Sequence, residues 1–324
     1  MAPAPLPRDG GPRWIGAAEM EQCLSIADTI DVLEATLRTG LDPERDGERS
    51  RFDTPDGELL QMPSANTRFT GTKILTIRPG NEGSAFPVIQ GVYVLFDGAH
   101  MTPIAVLDGA GLTTLRTPAT SALAVRHLAR PGARRIALFG TGVQAWGHVE
   151  AVRAVLDVEH VDVIGRTPAH VDRLVERIVA TGLSAAPAGV EAVPVADVVL
   201  CTTAATTPLF DGTLVADHAL TVAIGSHSPD AREVDTALVR RSTVVVESRA
   251  SALREAGDVL VPIGEGAFDP ADMITLADVV RGTVTIDDDR PRLFKGTGMP
   301  WQDLATAGAI ADRVLRATGA GELP

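Results

Sequence analysis

Four positively charged side chains stand out by their surroundings. Lys73 opens an otherwise apolar run, Gly71-Thr72-Lys73-Ile74-Leu75. Arg116 lies in Leu112-Thr113-Thr114-Leu115-Arg116-Thr117, and Arg49 and Arg51 precede Met62-Pro63. A cation among apolar residues is costly unless an anion meets it. A substrate carboxylate is one such anion; an internal ion pair, or a stem that snorkels to water, is the plainer alternative.

A second group of residues suits a different ligand. Gly140-Thr141-Gly142-Val143-Gln144-Ala145 is a G-x-G-x-x-A placed between a short apolar run, Ile136–Phe139, and a helical stretch, Val143–Leu156. The first glycine makes the turn, the second lets backbone approach a pyrophosphate, and the small sixth residue lets helix and strand pack closely. The helix start then offers unpaired N–H groups and a positive dipole end. The pattern predicts a dinucleotide site at Gly140, Thr141, Gly142, Val143 and Gln144.

The next strand selects the cofactor. It ends Ile164-Gly165-Arg166-Thr167, without the carboxylate that would hold a ribose 2′-hydroxyl. A guanidinium can pair bidentately with a 2′-phosphate, and the threonine hydroxyl can add a bond. NADP(H) is therefore expected over NAD(H), unless Arg166 only stacks on adenine or faces solvent.

The elements around these residues fall into two styles. Residues 1–14 read as a loose arm, Ile26 to Leu37 as a helix ended by Gly40, and 41–58 as polar turns. From Leu59 to Asp108 short β-like runs, Lys73–Ile77, Val88–Phe96 and Ile104–Leu107, alternate with turn residues. Leu115–Leu128 reads as a helix with Pro118 in its first turn, and Arg130-Pro131-Gly132-Ala133 as a linker. Beyond it strands alternate with helices: Val161–Ile164, His170–Thr181, then Val198–Cys201, Leu220–Ile224 and Val244–Val246. That order predicts a parallel, doubly wound sheet. Leu304–Leu315 reads as a closing helix.

Composition narrows the partners. A chain of 324 residues suggests two domains. Its net charge of -13 repels phosphate backbones, so no nucleic acid is expected. No stretch approaches the ~18 apolar residues of a membrane span. The two cysteines, Cys23 and Cys201, match no metal or redox spacing and read as buried thiols of a cytoplasmic protein. The seven histidines form no ligand pattern, and Asp287-Asp288-Asp289 reads as a solvated turn, so no metal is expected.

Taken together, these segments resemble the ornithine cyclodeaminase/mu-crystallin family over about residues 45–315. The likeness rests on Met62-Pro63, Gly71-Thr72-Lys73, Pro79-Gly80-Asn81, Leu112 through Ala122 and the Gly140–Ala145 turn. It continues in Ala223-Ile224-Gly225-Ser226-His227-Ser228-Pro229 with Arg232-Glu233, and in Leu293-Phe294-Lys295 through Asp303-Leu304. The resemblance implies an α/β protein. It implies a Rossmann domain (131–303) inserted in an α+β dimerisation and substrate domain (1–130 with 304–324), and a homodimer. It implies that Arg49, Lys73 and Arg116, with Met62, hold a substrate carboxylate, Arg49 being preferred to Arg51 by its spacing from Met62. Thr117, Thr202, Thr203 and Ser226 join the cofactor set.

One departure bears on the reaction. Cyclodeaminases resemble one another in an aspartate where this chain reads Gly225-Ser226-His227. A histidine suits proton donation, its ordinary pKa being about 6.5, although it also fits a loop residue bonded only to backbone. The expected function is NADPH-dependent reduction of a cyclic imino acid, a pyrroline- or piperideine-2-carboxylate, with His227 or Lys73 supplying the proton. An ornithine cyclodeaminase, an amino-acid dehydrogenase, and a non-catalytic holder of NADPH and a small carboxylate remain the alternatives.

Overall fold

The computed structural model describes residues 11–287 and 289–317. The first ten residues of the N-terminal arm, Asp288 of the aspartate turn and residues 318–324 lie outside the described residues. The chain forms two compact units. One comprises the N-terminal segment, 45–116 and the segment from Met299; the other comprises Leu37–Glu44 and Thr117–Gly298.

The first unit is built on a six-stranded sheet. Its strands are β1 (Arg13–Ile15), β2 (Ser50–Thr54), β3 (Gly57–Ala65), β4 (Phe69–Ile77), β5 (Ile89–Asp97) and β6 (Pro103–Asp108). They lie in the order β1-β6-β5-β4-β3-β2, antiparallel except for β1, which runs parallel to β6. Alternation along β3 turns Leu60, Met62 and Ser64 inward. Helices α1 (Ala17–Cys23) and α10 (Pro300–Ala317) enclose that face with Phe69, Tyr93, Leu95, Leu107, Leu304, Ala307 and Ile310. The opposite face carries Trp14, Phe52, Leu59, Ile74, Val92, Val94 and Val106, all half-buried or exposed.

Two expectations need correction here. The arm does not stay loose to residue 14, because Arg13–Ile15 pairs with Ala105, Val106 and Leu107. The polar stretch 41–58 is not all turn: β2 and the start of β3 form a hairpin on the sheet edge, where polar residues pair as readily as apolar ones. Cys23 is half-buried, Cys201 buried, and both are free thiols.

The second unit holds an eight-stranded, all-parallel sheet. Its strands are β7 (Arg135–Phe139), β8 (His160–Ile164), β9 (Ser184–Pro187), β10 (Val198–Cys201), β11 (Leu220–Ala223), β12 (Thr243–Val246), β13 (Ile274–Thr275) and β14 (Arg292–Lys295). The order is β13-β12-β14-β11-β10-β7-β8-β9. Helices α4 (Val143–Arg153) and α5 (Pro168–Val179) connect β7 to β8 and β8 to β9. The chain then crosses to β10 on the other side of β7, which is the reversal of a Rossmann sheet and its ligand crevice. The shorter helices α6 (Thr236–Arg241), α7 (Arg249–Glu255), α8 (Gly257–Gly264) and α9 (Leu276–Arg281) complete the unit. Its core joins Phe139, Val199, Cys201, Ala223, Val246 and Leu293.

Helices α2 (Ile26–Arg38) and α3 (Gly109–Leu128) each span a boundary between units. α3 starts six residues earlier than the sequence suggests, because the Asp108 carboxylate accepts from the N–H groups of Ala110 and Gly111. Pro118 therefore sits mid-helix rather than in the first turn. Among the described residues no helix is long and apolar enough to cross a membrane.

Candidate active site

Lys73 is placed by three strands. It stands opposite Met62 on β3 and Tyr93 on β5, and all three point into the closed face of the sheet. Gly71 precedes it because the Tyr93 ring lies over that position, where a Cβ would overlap the phenol oxygen. The Tyr93 hydroxyl is buried and has no hydrogen-bond partner among the described residues.

Lys73 is 1% exposed and needs an anion. That anion is Asp303 in the first turn of α10: Nζ lies 3.1 Å from Oδ1 and 2.9 Å from Oδ2. Lys73 also donates to the Thr113 hydroxyl at 3.3 Å. Arg116, on α3, reaches the same carboxylate through Nε at 3.0 Å and the Gln302 amide oxygen through Nη1 at 3.1 Å. The Asp46 carboxylate accepts from the Ser64 hydroxyl and from the Trp301 N–H, both at 2.7 Å.

The electrostatics follow from this crowding. Burial pushes the Lys73 ammonium down to about 8; Asp303 resists the fall, and Arg116 and Arg49 add to it. Burial alone would raise the Asp303 carboxyl, but Lys73 and Arg116 hold it below the usual range. Burial, then Asp303 and Asp46, pushes the Tyr93 hydroxyl well above its ordinary value. Lys73, Arg116 and Met62 thus belong to one cluster within the first unit, and Arg49 lies near enough to oppose the charge on Lys73. Arg51 instead pairs with Glu58 on the exposed edge strand, at 2.7 Å.

Asp303 and Gln302 are the residues that sequence reasoning missed. Asp303 was legible only as part of a family-like segment, since a carboxylate at a helix start is ordinarily read as dipole stabilisation.

The glycine turn in the second unit has the form of a phosphate cradle. Gly140 has φ +116°, and a Cβ there would come 2.6 Å from the Thr202 hydroxyl. Gly142 caps α4 without a side-chain bond, and a Cβ on it would meet nothing within 4 Å. The chain's own packing therefore does not require a glycine at 142; a pyrophosphate lying against the backbone would. Ala145 is fully buried, as close helix–strand packing demands. Val143 and Thr141 flank the turn, and the buried Gln144 side-chain amide oxygen and Thr117 hydroxyl have no partner among the described residues. These groups fit a dinucleotide.

Gly165, at the end of β8, packs against Thr141 and Val171, where a Cβ would come 2.9 Å from each side chain. This brings the end of β8 beside the phosphate turn. Arg166 and Thr167 follow, both exposed, and Thr167 caps α5 without using its hydroxyl. Thr202 donates to the Phe139 carbonyl at 2.9 Å. Thr203, Ser226 and the half-buried His227 lie in the loops that follow β10 and β11. No group of three or more His, Cys, Asp or Glu that could hold a metal occurs among the described residues.

Comparison with known proteins agrees with this architecture. The chain is 34% identical over 281 residues to a Delta(1)-pyrroline-2-carboxylate reductase of Bacillus cereus, covering 84% of this chain and 86% of that protein. It is 33% identical over 258 residues to ketimine reductase mu-crystallin of Mus musculus, covering 79% and 80%. Among solved structures, Thermococcus litoralis Delta(1)-pyrroline-2-carboxylate reductase in complex with NADH and L-proline superposes with a TM-score of 0.88. That comparison has 25% identity and covers 94% of this chain and 98% of that one. Residues 15–318 match the family model itself, and the chain belongs to the ornithine cyclodeaminase/mu-crystallin family.

Proposed function

We propose that the chain reduces a cyclic imino acid, a pyrroline- or piperideine-2-carboxylate, using a reduced nicotinamide dinucleotide. One observation carries this reading: Lys73 and Arg116 share the buried Asp303, and Arg116 and Arg49 both oppose the charge on Lys73. A carboxylate brought among them relieves that repulsion. The relatives' names, pyrroline-2-carboxylate and ketimine reductases, supply the substrate class.

When bound, the reduced nicotinamide supplies hydride to the imine carbon. The chain's own residues fix the carboxylate and manage the proton. An iminium accepts hydride better than a neutral imine, so the catalytic need is to keep the nitrogen protonated. A lysine held near 8 gives up a proton far more readily than one at 10.5, and Lys73 is suited to that role. His227 is the second candidate, on the loop after β11.

Three finer assignments belong to the same proposal. Arg166 and Thr167, beside the phosphate turn, favour NADP(H) over NAD(H). The first unit holds the substrate and the second the dinucleotide. The uncovered sheet face with Trp14, Phe52 and Leu59 is the surface on which a second copy docks to make a homodimer. Oxidation of NADPH and NADH with a panel of cyclic imino acids tests the activity. Turnover with a five- or six-membered ring is expected, and tight cofactor binding without any turnover would overturn it.

A further inference from the structure

The ends of β10 and β11 are held by a buried group of charges that the proposed chemistry does not use. Glu233 Oε1 accepts from the Thr203 N–H at 2.8 Å and the Thr203 hydroxyl at 2.7 Å. Its Oε2 accepts from the Gly225 N–H at 2.7 Å. One carboxylate therefore ties the loop after β10 to the loop after β11. The two loops touch so closely that a Cβ on Gly225 would overlap the Thr203 carbonyl oxygen.

Behind Glu233 stands Asp258 of α8. Its Oδ1 accepts from the N–H groups of Glu233 and Val234, at 2.6 and 2.9 Å, and its Oδ2 lies 2.8 Å from Lys295 Nζ. Lys295, on β14, also donates to the Ser226 carbonyl at 2.6 Å. Glu233, Asp258 and Lys295 are all at most 1% exposed. The group holds two carboxylates and one ammonium. Three donated hydrogen bonds favour the charged form of Glu233. Burial still leaves its carboxyl above the ordinary range, and Lys295, Thr203 and Gly225 limit that rise. Burial first, then Glu233 and Asp258, pushes the thiol of Cys201, the last residue of β10, well above the ordinary range, with Lys295 acting the other way.

In a doubly wound sheet the dinucleotide lies over the strand ends at the reversal, here between β7 and β10. With the adenosine half on the β7–β8 side, the nicotinamide half falls to the ends of β10 and β11. Giving up hydride leaves the nicotinamide ring with one positive charge. We propose that the Glu233–Asp258–Lys295 group, with its surplus carboxylate under these loops, favours the oxidised cofactor and so biases the bound nicotinamide toward hydride donation. This rests on the dinucleotide reading above.

The test is direct titration of the full chain with NADP+ and NADPH, and with NAD+ and NADH. Glu233→Gln should weaken the oxidised form relative to the reduced form by roughly tenfold, the scale of one charge in a partly buried site. Glu233→Asp keeps the charge and shortens the arm, so it should weaken both forms and leave their ratio unchanged. Asp258→Asn removes the same charge from the other carboxylate and should move the ratio in the same direction; it carries the test alone if the Gln variant does not fold. A ratio unchanged in the charge-removing variants that fold overturns the proposal and leaves Glu233 a purely mechanical clamp. If no dinucleotide binds the parent chain, it is the cofactor reading that fails instead.

Discussion

Lys73 and Arg116 donate to the same oxygen of Asp303, from Nζ at 3.1 Å and Nε at 3.0 Å. The two cations are thereby held side by side by a carboxylate that is itself fully buried. On the proposed reading Asp303 acts through them rather than on the substrate, as a positioning residue with a testable electrostatic signature.

Asp303→Asn removes the charge that resists the fall in the Lys73 pKa. The ammonium should then lose its proton at a lower pH than the present value of about 8. The alkaline limb of kcat/KM for imine reduction should move to lower pH, and the maximal value should drop about 10²-fold. Breaking a buried pair of this kind also costs about 3–5 kcal/mol of stability. An alkaline limb that stays in place would show that Lys73 is not the group titrating.

Arg116→Lys should already be damaging. A point charge cannot reproduce a planar fork that reaches Asp303 and Gln302 at once. We expect kcat/KM to fall by roughly 10²-fold or more, the scale of a lost charged contact, with the dissociation constant for NADPH unchanged. Near-normal kinetics would assign this arginine to structure alone.

Arg166→Asp should erase the preference for NADPH and improve NADH binding, since a carboxylate there can accept from a ribose 2′-hydroxyl. Parallel titrations of the two cofactors decide it, and equal affinities in the parent chain would remove the basis for the assignment.

His227→Asn should lower kcat about 10²-fold and leave cofactor affinity close to normal. The parent chain should release little ammonia from ornithine with either oxidised cofactor. Rapid ammonia release, or an asparagine variant with unchanged kcat, would return the proton to Lys73 or to water.

His148 on α4 supplies a stability prediction. It is fully buried, with Nδ1 2.7 Å from the Gln144 carbonyl and Nε2 2.8 Å from the Ser121 hydroxyl. The Gln144 carbonyl can only accept, so Nδ1 carries the proton and Nε2 accepts from Ser121. Burial pushes its pKa down to about 4. The unfolded chain binds this proton at about 6.5, the folded chain only near 4. Stability is therefore full above pH 6.5 and falls as the pH drops toward 4, by about 3 kcal/mol over the window. Urea denaturation at pH 7 and pH 4.5 should show a loss that His148→Gln largely lacks.

The sequence was most readable where one residue's role is local. Gly140 and Gly142 sit between a strand and a helix, and their backbone geometry is fixed within a few residues. Val198–Cys201 and Leu220–Ala223 are buried on both faces, so continuous apolar runs mark them. What escaped is non-local. β2 is polar because it lies on an edge, and β14 carries two charged residues, Arg292 and Lys295, into the middle of a sheet. Their partners, the Leu128 carbonyl and Asp258, are far away in the chain. Asp303 is likewise 230 residues from Lys73, a pairing that no spacing rule connects.

The place of α10 also sets an order of events in making the protein. The sheet it covers is complete by Asp108, yet the helix that closes its apolar face begins at Pro300. During synthesis that face waits, uncovered by its own helix, while the whole parallel sheet is being made, a period in which unpaired apolar surface invites aggregation. Asp303 arrives on the same helix, so Lys73 and Arg116 stay without their shared carboxylate until then. Folding of the first unit and assembly of its charge cluster are thus one late, long-range event rather than two.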